Sequence, residues 1–155
     1  MDISGFKVSD ERVLEFTGSL KQNDSEYDTK NLDIQYPIHY KGRLIRLDED
    51  MDLDIHISYD LHSPCSRCLK DVVTHVDYGT SFILVSSQEL MVDEDEIEEE
   101  VLYLKDDTLP IEDIVMSLVI TSVPFKVICN EDCQGLCSQC GQDLNEENCN
   151  CNLEV

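Results

Sequence analysis

Hydrophobic and polar residues alternate along the middle of the chain with the period of a β-strand. In residues 32–40 every second position is apolar, and a stricter alternation runs through 53–61. Residues 72–85 again have an extended pattern that ends in a run of apolar positions. These segments predict an antiparallel β-sheet or a barrel-like β-structure in the first part of the chain.

Two residues within these patterns predict interruptions. Pro37 cannot donate a hydrogen bond to a neighbouring strand, which favours an edge position for the strand over 32–40. Gly42 is expected to close a turn into the apolar stretch 43–47. The short apolar run 13–16 is followed by polar residues that are typical of a loop.

Residues 109–122 carry the helix signal of the sequence. Apolar side chains recur there at helical spacing and form one stripe. Thr108 suits the N-cap, Pro110 suits the first turn, and Pro124 ends the helix. The prediction is one helix that covers a face of the sheet, so the fold class is α+β. The preceding segment, 86–100, is crowded with acids whose repulsion predicts a solvated loop, with binding of basic ligands as the alternative.

The charge balance limits the partners of the chain. There are 34 acidic and 11 basic residues, which gives a formal net charge of −23. Such a surface repels phosphate, so direct nucleic-acid binding is disfavoured and a basic protein is the expected partner. The chain begins without a basic and apolar leader segment, and no apolar run approaches the roughly 20 residues of a membrane span. We therefore expect a cytoplasmic protein with no membrane contact.

Eight cysteines form the most informative pattern. They are Cys65, Cys68, Cys129, Cys133, Cys137, Cys140, Cys149 and Cys151. Cysteines separated by one to three residues can direct two thiolates at one ion with little loss of loop entropy. Because disulfides rarely persist in a reducing compartment, the pattern predicts two structural metal sites with four sulfur ligands each.

The division into two sites follows from proximity along the chain. One site is assigned to Cys137, Cys140, Cys149 and Cys151, and the other to Cys65, Cys68, Cys129 and Cys133. Spacing also allows Cys133 and Cys137 to exchange roles, and His62 is a possible substitute for a thiolate. Closed four-sulfur sites favour zinc, with iron as the alternative. The predicted organisation is a β-rich domain over 1–128 and a zinc-ribbon-like module over 129–155 that packs on the 65–68 pair.

The sequence predicts no catalytic activity. It contains no glycine-rich phosphate loop, no Ser/His/Asp arrangement and no cysteine with a histidine partner, so no small-molecule substrate is expected. The pair Cys65 and Cys68 alone would suit redox chemistry, and iron in one site would suit a rubredoxin-like electron carrier. A non-enzymatic zinc protein is the leading interpretation, and the iron electron carrier is the alternative.

The cysteine module resembles the YceD family, whose members are called large ribosomal RNA subunit accumulation proteins. The resemblance rests on Cys-x3-Cys-x-Gly-Leu-Cys-x2-Cys-Gly over 129–141, on Leu144-Asn145 and on the Cys-Ser-Arg-Cys sequence 65–68. Metal binding alone does not require the Gly-Leu and Leu-Asn dipeptides, so the motif is specific. Ser138 is a departure, since the family often has proline there.

The resemblance covers residues 50–151 well and carries a functional expectation. It implies a cytoplasmic, non-enzymatic factor that is needed for normal 23S rRNA levels and hence for biogenesis of the large ribosomal subunit. Combined with the net charge, it makes a basic ribosomal protein the expected partner.

Overall fold

The computed structural model describes residues 1–48, 50–86 and 101–151. Its elements are, in chain order, α1 (Ser4–Val8), β1 (Val13–Leu20), β2 (Asp33–Leu47), β3 (Asp50–Pro64), β4 (Asp71–Ser86), β5 (Val101–Leu104) and α2 (Ile111–Ser122). The predicted acidic loop 86–100 lies outside the described residues except for its first residue. So do residues 152–155 of the predicted cysteine module.

The strands form one sheet in the order β1-β2-β3-β4-β5. The pairs β1–β2, β2–β3 and β3–β4 are antiparallel, and β5 pairs parallel with the end of β4. Within the described ranges the sheet is open, with β1 and β5 at its edges. The α+β class is confirmed as a mostly antiparallel sheet with a helix and a C-terminal cysteine cluster.

The edge position predicted from Pro37 is wrong, because β2 lies between β1 and β3. The register of the β2–β3 pairing shifts between Gln35 and His39. On the other side, β1 ends with Leu20 opposite Ile38. Pro37 therefore lies outside both regular ladders, where its missing N–H group costs no hydrogen bond.

The turn predicted at Gly42 is also wrong. Gly42 lies within β2 opposite Phe16, and a Cβ atom added to it would lie 2.1 Å from Cζ of that ring. Gly18 in β1 lies opposite Tyr40 in β2, so here the glycine and the aromatic ring have exchanged strands. A Cβ atom added to Gly18 would lie 2.3 Å from the Tyr40 hydroxyl oxygen. The two rings meet edge to face with centroids 6.4 Å apart. These glycines make room for aromatic rings rather than for turns.

Helix α2 covers the sheet as predicted, but it begins at Ile111 with Pro110 in the N-cap position. The capping role predicted for Thr108 is wrong, since its hydroxyl donates a hydrogen bond to the carbonyl of Asp106. The buried side chains of α2 join the single large core. The Tyr59 hydroxyl donates to the Val119 carbonyl at 3.1 Å, which ties β3 to the last turns of the helix.

A second, short helix that the sequence pattern did not indicate closes another part of the core. In the α1 region Ile3 and Phe6 are buried. The Arg46 guanidinium lies 4.8 Å above the Phe6 ring and donates to the Ser9 carbonyl at 2.6 Å. This contact fastens the N-terminal segment to the end of β2. Among the described residues, no helix has the length and apolarity that a membrane crossing requires.

Candidate metal centre

The tip of the β3–β4 hairpin forms a cysteine knuckle. The Cys65 N–H donates to the Lys70 carbonyl at 2.8 Å, and the Leu69 N–H donates back to the Cys65 carbonyl at 3.0 Å. Leu69, which follows Cys68, has a left-handed backbone with φ of 61°. Such a conformation costs a non-glycine residue roughly 1–2 kcal/mol, so other interactions must hold the knuckle in this shape.

The segment from Cys137 to Gln142 repeats this geometry. Cys137 N–H donates to the Gln142 carbonyl at 2.8 Å, and Gly141 N–H donates to the Cys137 carbonyl at 2.8 Å. Gly141 has φ of 75°, which glycine adopts without strain. The two knuckles therefore share one backbone fold, although they lie in different parts of the chain.

The hairpin site consists of the four thiols of Cys65, Cys68, Cys129 and Cys133, whose sulfur atoms all lie within 4.8 Å of one another. The sulfur–sulfur distance is 3.8 Å between Cys65 and Cys133 and 3.6 Å between Cys68 and Cys129. Cys65 is completely buried, and Cys68 and Cys133 are nearly so. This site joins the hairpin tip to the chain that leaves α2.

The terminal site consists of Cys137, Cys140, Cys149 and Cys151, which also lie within 4.8 Å of one another. The sulfur atoms of Cys137 and Cys149 are 3.4 Å apart. Cys137 is buried, whereas Cys140 is exposed. The structure thus gathers the eight thiols into the two groups that the spacing predicts, and His62 is in neither. Its ring instead lies 3.9 Å from the Asp33 carboxylate.

Both groups have the dimensions of a metal site. A tetrahedral zinc ion with bonds of about 2.3 Å to sulfur separates its ligands by about 3.8 Å. The sulfur–sulfur distances of 3.4, 3.6 and 3.8 Å are close to this value and far from the roughly 2.05 Å of a disulfide. All eight cysteines are free. Two cysteine groups could therefore each hold a metal ion, and the distances alone suit zinc and iron equally.

Backbone N–H groups lower the pKa of one thiol in each group and so stabilise its thiolate form. The N–H of Cys68, with those of Arg67 and Cys129, lowers the pKa of Cys65 to about 6. At the terminal site, the N–H groups of Cys140 and Gln139 lower the pKa of Cys137 to about 6. A thiolate is the form that binds metal, so both groups offer a ligand near neutral pH.

A second thiol in each group has a raised pKa and resists ionisation. Interaction with Cys133, followed by burial, raises the pKa of Cys129 to about 12. Interaction with Cys140, followed by burial, raises the pKa of Cys151 to about 12. Adjacent thiolates repel one another, and a divalent cation at the centre removes this repulsion. The donor set of each group therefore fits a bound metal.

Polar contacts join the hairpin tip to the cysteine module. The Arg67 guanidinium donates to the Cys133 carbonyl at 2.9 Å, and the Ser66 N–H donates to the Val127 carbonyl at 2.7 Å. Gly135 approaches the same knuckle so closely that an added Cβ would lie 3.1 Å from the Arg67 carbonyl oxygen. Its φ of 77° also favours glycine. The Gly135-Leu136 dipeptide of the sequence motif thus has a packing role.

Lys70 adds an ionic contact to the same junction. Its ammonium lies 3.1 Å from carboxylate oxygens of both Asp143 and Glu146. These acids belong to the module, whereas Lys70 belongs to the hairpin knuckle. Sequence reasoning did not identify this contact, because nothing in the local sequence indicates which acids a lone lysine will meet.

Asn145 is a second residue at this site whose role the sequence did not reveal. Its side-chain oxygen accepts a hydrogen bond from the Gln134 N–H at 2.8 Å, and its amide nitrogen lies 3.6 Å from the Cys133 sulfur. The same nitrogen donates to Asp143 at 2.6 Å. Asn145 therefore orients a ligand of the hairpin site from within the terminal module. In the sequence, the Leu-Asn dipeptide of the motif was the feature that could have indicated a role for Asn145.

Replacing Asn145 by aspartate should weaken metal binding at the hairpin site. The change removes the N–H donor and places a negative charge beside the Cys133 sulfur. Loss of an outer-shell partner typically lowers metal affinity by about 10–100-fold. In competition with a chromophoric chelator, Asn145→Asp should release one metal equivalent earlier than the unchanged chain. Gln22→Glu adds the same charge at an exposed position in the loop after β1 and serves as control. Release of both equivalents as in the unchanged chain would contradict the assigned role.

Comparison with known protein families supports the family resemblance that the cysteine motif indicates. The family model described as "Large ribosomal RNA subunit accumulation protein YceD" matches residues 53–155. This range contains β4, α2 and all eight cysteines. No solved structure matches the chain.

Several bacterial proteins are similar to the chain. The uncharacterized protein Rv2926c of Mycobacterium tuberculosis is 35% identical over 83 residues, which is 54% of this chain and 40% of that protein. ML1660 of Mycobacterium leprae is 29% identical over 111 residues, or 70% of this chain and 49% of that protein. YlbN of Bacillus subtilis is 30% identical over 108 residues, or 69% of this chain and 60% of that protein. The match thus spans less than two thirds of each relative's length.

Proposed function

The chain belongs to the YceD family, and on that premise we propose that it is a non-enzymatic, zinc-binding cytoplasmic factor that supports accumulation of 23S rRNA and biogenesis of the large ribosomal subunit. The observation that carries this proposal is the match of residues 53–155 to the family model. Residues outside the metal ligands, such as Gly135 and Asn145, have specific structural roles in the matched range.

Zinc is the proposed metal because each group supplies four thiolates. A zinc ion held by four cysteines has no open coordination position and acts structurally. Here it would join segments that are distant along the chain, since the hairpin site connects Cys68 with Cys129. In such a site the free energy of metal binding becomes free energy of folding.

The net charge of −23 favours a basic partner for this factor. Beyond Lys126 the cysteine module carries acids and no lysine or arginine. The electrostatic term that attracts proteins to nucleic acid is unfavourable for such a surface. The factor is therefore proposed to act on the large subunit by binding a basic ribosomal protein. The affinity of this complex should fall with added salt.

Depletion of the protein tests this function directly. We expect the ratio of 23S to 16S rRNA to fall, since the large subunit would be made or maintained less efficiently. Expression of the unchanged chain from a second copy should restore the ratio. A ratio that is the same before and after depletion would count against the proposal.

A rubredoxin-like iron electron carrier is the second candidate. The observation in its favour is the pair of knuckles with the same backbone hydrogen bonds, a geometry that iron also accepts. Metal analysis and the visible spectrum distinguish the candidates. Zinc-loaded protein is colourless, whereas an iron–thiolate site absorbs visible light. Two zinc equivalents per colourless chain would exclude the electron carrier.

A further inference from the structure

Phe125 is exposed to a degree that is unusual for its residue type. The residue has a relative exposure of 105%, whereas Phe6 is buried and Phe16 and Phe82 pack against the core. Burying a phenylalanine side chain contributes about 1.5–3 kcal/mol. The fold forgoes this contribution at Phe125. Aromatic side chains presented to solvent beside a groove are common anchors of protein interfaces.

A groove of about 400 Å³, here called the Phe125 groove, lies beside this ring. It runs between the starts of β2 and β4, the end of β3 and the segment that follows α2. Its apolar part includes Leu32, Pro64, Val123, Pro124 and Phe125, and its acids are Asp33 and Asp71. No lysine or arginine is among the described residues that line it. The groove thus combines apolar side chains with polar residues and negative charge.

The hairpin site holds the two walls of this groove together. One wall contains Ser66, which lies within the knuckle, and the other contains Val127, which lies two residues before Cys129. The Ser66 N–H donates to the Val127 carbonyl at 2.7 Å. Cys65 and Cys129 then connect the same walls, since the Cys129 N–H donates to the Cys65 sulfur at 3.3 Å. A metal ion bound by the hairpin site would therefore also hold the groove in this shape.

Charge decides what kind of molecule fits the groove. A second copy of this chain would bring another net charge of −23, and RNA and anionic membranes are also negative. Asp33 presents a carboxylate that is 68% exposed, and its neighbour His62 lies 3.9 Å away. A lysine or arginine of an incoming chain can reach this carboxylate. A positively charged polypeptide with an apolar side chain matches both properties.

We propose that the Phe125 groove docks an extended basic segment of a protein, with one apolar side chain packed against Phe125 and with lysine or arginine residues near Asp33 and Asp71. The inference rests on the proposed function, which supplies a basic ribosomal protein as the partner. It adds the surface of the factor that makes the contact and the chemistry of the segment that is bound.

A tryptophan at position 125 provides a direct test, because the chain contains none. The probe is a nonapeptide of alternating lysine and arginine with a central leucine. Binding to Phe125→Trp should shift the tryptophan emission to shorter wavelength. Phe125→Ala should bind the peptide about tenfold more weakly or worse, as expected for loss of an aromatic anchor. A peptide with serine in place of leucine, and the variant Asp71→Asn, should each weaken binding.

The control variant is Val8→Ala, which removes another exposed apolar side chain, 88% exposed, from α1. Its peptide affinity should equal that of the unchanged chain. Equal affinity of Phe125→Ala and the unchanged chain, an unshifted tryptophan emission at saturation, or no peptide binding at all would overturn the docking proposal.

Complementation of depleted cells separates this proposal from the proposed function. Phe125→Trp and Val8→Ala should restore the 23S to 16S ratio, whereas Phe125→Ala with its full metal content should not. Restoration by Phe125→Ala overturns the docking surface while the function stands. If depletion of the unchanged protein leaves the ratio constant, the function fails, and the fluorescence titration alone decides whether the groove binds a basic segment.

Discussion

Replacing Cys65 by serine should detach the cysteine module from the sheet and loosen the ends of β3 and β4. Cys65 is completely buried, and its sulfur accepts hydrogen bonds from the Arg67 and Cys129 N–H groups. Binding of a structural zinc contributes roughly 10 kcal/mol or more, which is comparable with the whole stability of a domain of roughly 5–15 kcal/mol. Loss of the ion from the hairpin site should therefore lower the free energy of unfolding by several kcal/mol.

Three measurements check this expectation for Cys65→Ser. Native mass spectrometry should find one metal equivalent instead of two. Hydrogen exchange should accelerate in the last residues of β3, the first residues of β4 and residues 127–136. The urea midpoint should fall. Ser66→Ala changes an exposed residue of the same knuckle and should leave all three measurements unchanged. Cys65→Ser protein that keeps two ions and full protection would show that the Cys65 sulfur is not needed as a ligand of the hairpin site.

Replacing Cys137 by serine should have a large but confined effect. Cys137 belongs to the terminal site, whose other members Cys140, Cys149 and Cys151 are exposed or half-buried, whereas all the hairpin thiols except Cys129 are buried. Its N–H and carbonyl also hold the second knuckle. Loss of the ion should expose the amides of residues 137–151 to exchange while β3 and β4 keep their protection. One metal equivalent should remain bound, at the hairpin site.

The comparison between the two serine variants is the sharpest test of the two-site arrangement. Different exchange patterns are expected, because the hairpin site takes Cys65 and Cys68 from the tip between β3 and β4, whereas all four ligands of the terminal site lie within residues 137–151. The same pattern in both variants would mean that the eight thiols act as one cluster. Loss of both ions from Cys137→Ser would lead to the same conclusion.

Long, regular elements of this fold were predictable because burial dictates their sequence. In β3 every second residue from Met51 to Leu61 is buried, so the alternation in the sequence is complete. In α2 the apolar stripe is buried against the sheet for the same reason. The hairpin tip followed from the position of the cysteine pair between two extended segments.

Short elements and local exceptions were not predictable. Helix α1 has five residues and β5 has four, which are too few to show a period. Gly42 and Pro37 are interpreted as turn or edge residues when only local preference is considered. Their actual roles depend on the Phe16 ring and on a register shift, which are properties of the neighbouring strands.

The candidate site also has features that the sequence predicts and features that it does not. The grouping of the thiols was predictable because pairs that are close in sequence are close in space. The contacts that support the groups were not, since Arg67, Lys70 and Asn145 act across 12 to 76 residues of chain. In the sequence, only the Gly-Leu and Leu-Asn dipeptides indicated that residues of the cysteine module other than the metal ligands have a specific role.

The order in which the cysteines emerge during synthesis has a consequence for metal loading. Cys68 and Cys129 meet in the hairpin site but are separated by 61 residues. A ribosome that adds roughly 5–20 residues per second needs roughly 3–12 s to make this interval. Throughout that time the nascent chain presents two sulfurs of an incomplete centre, so any ion captured early is held by half its ligands. Exchange for the correct ion is thus still easy when translation of the last cysteines finishes the site.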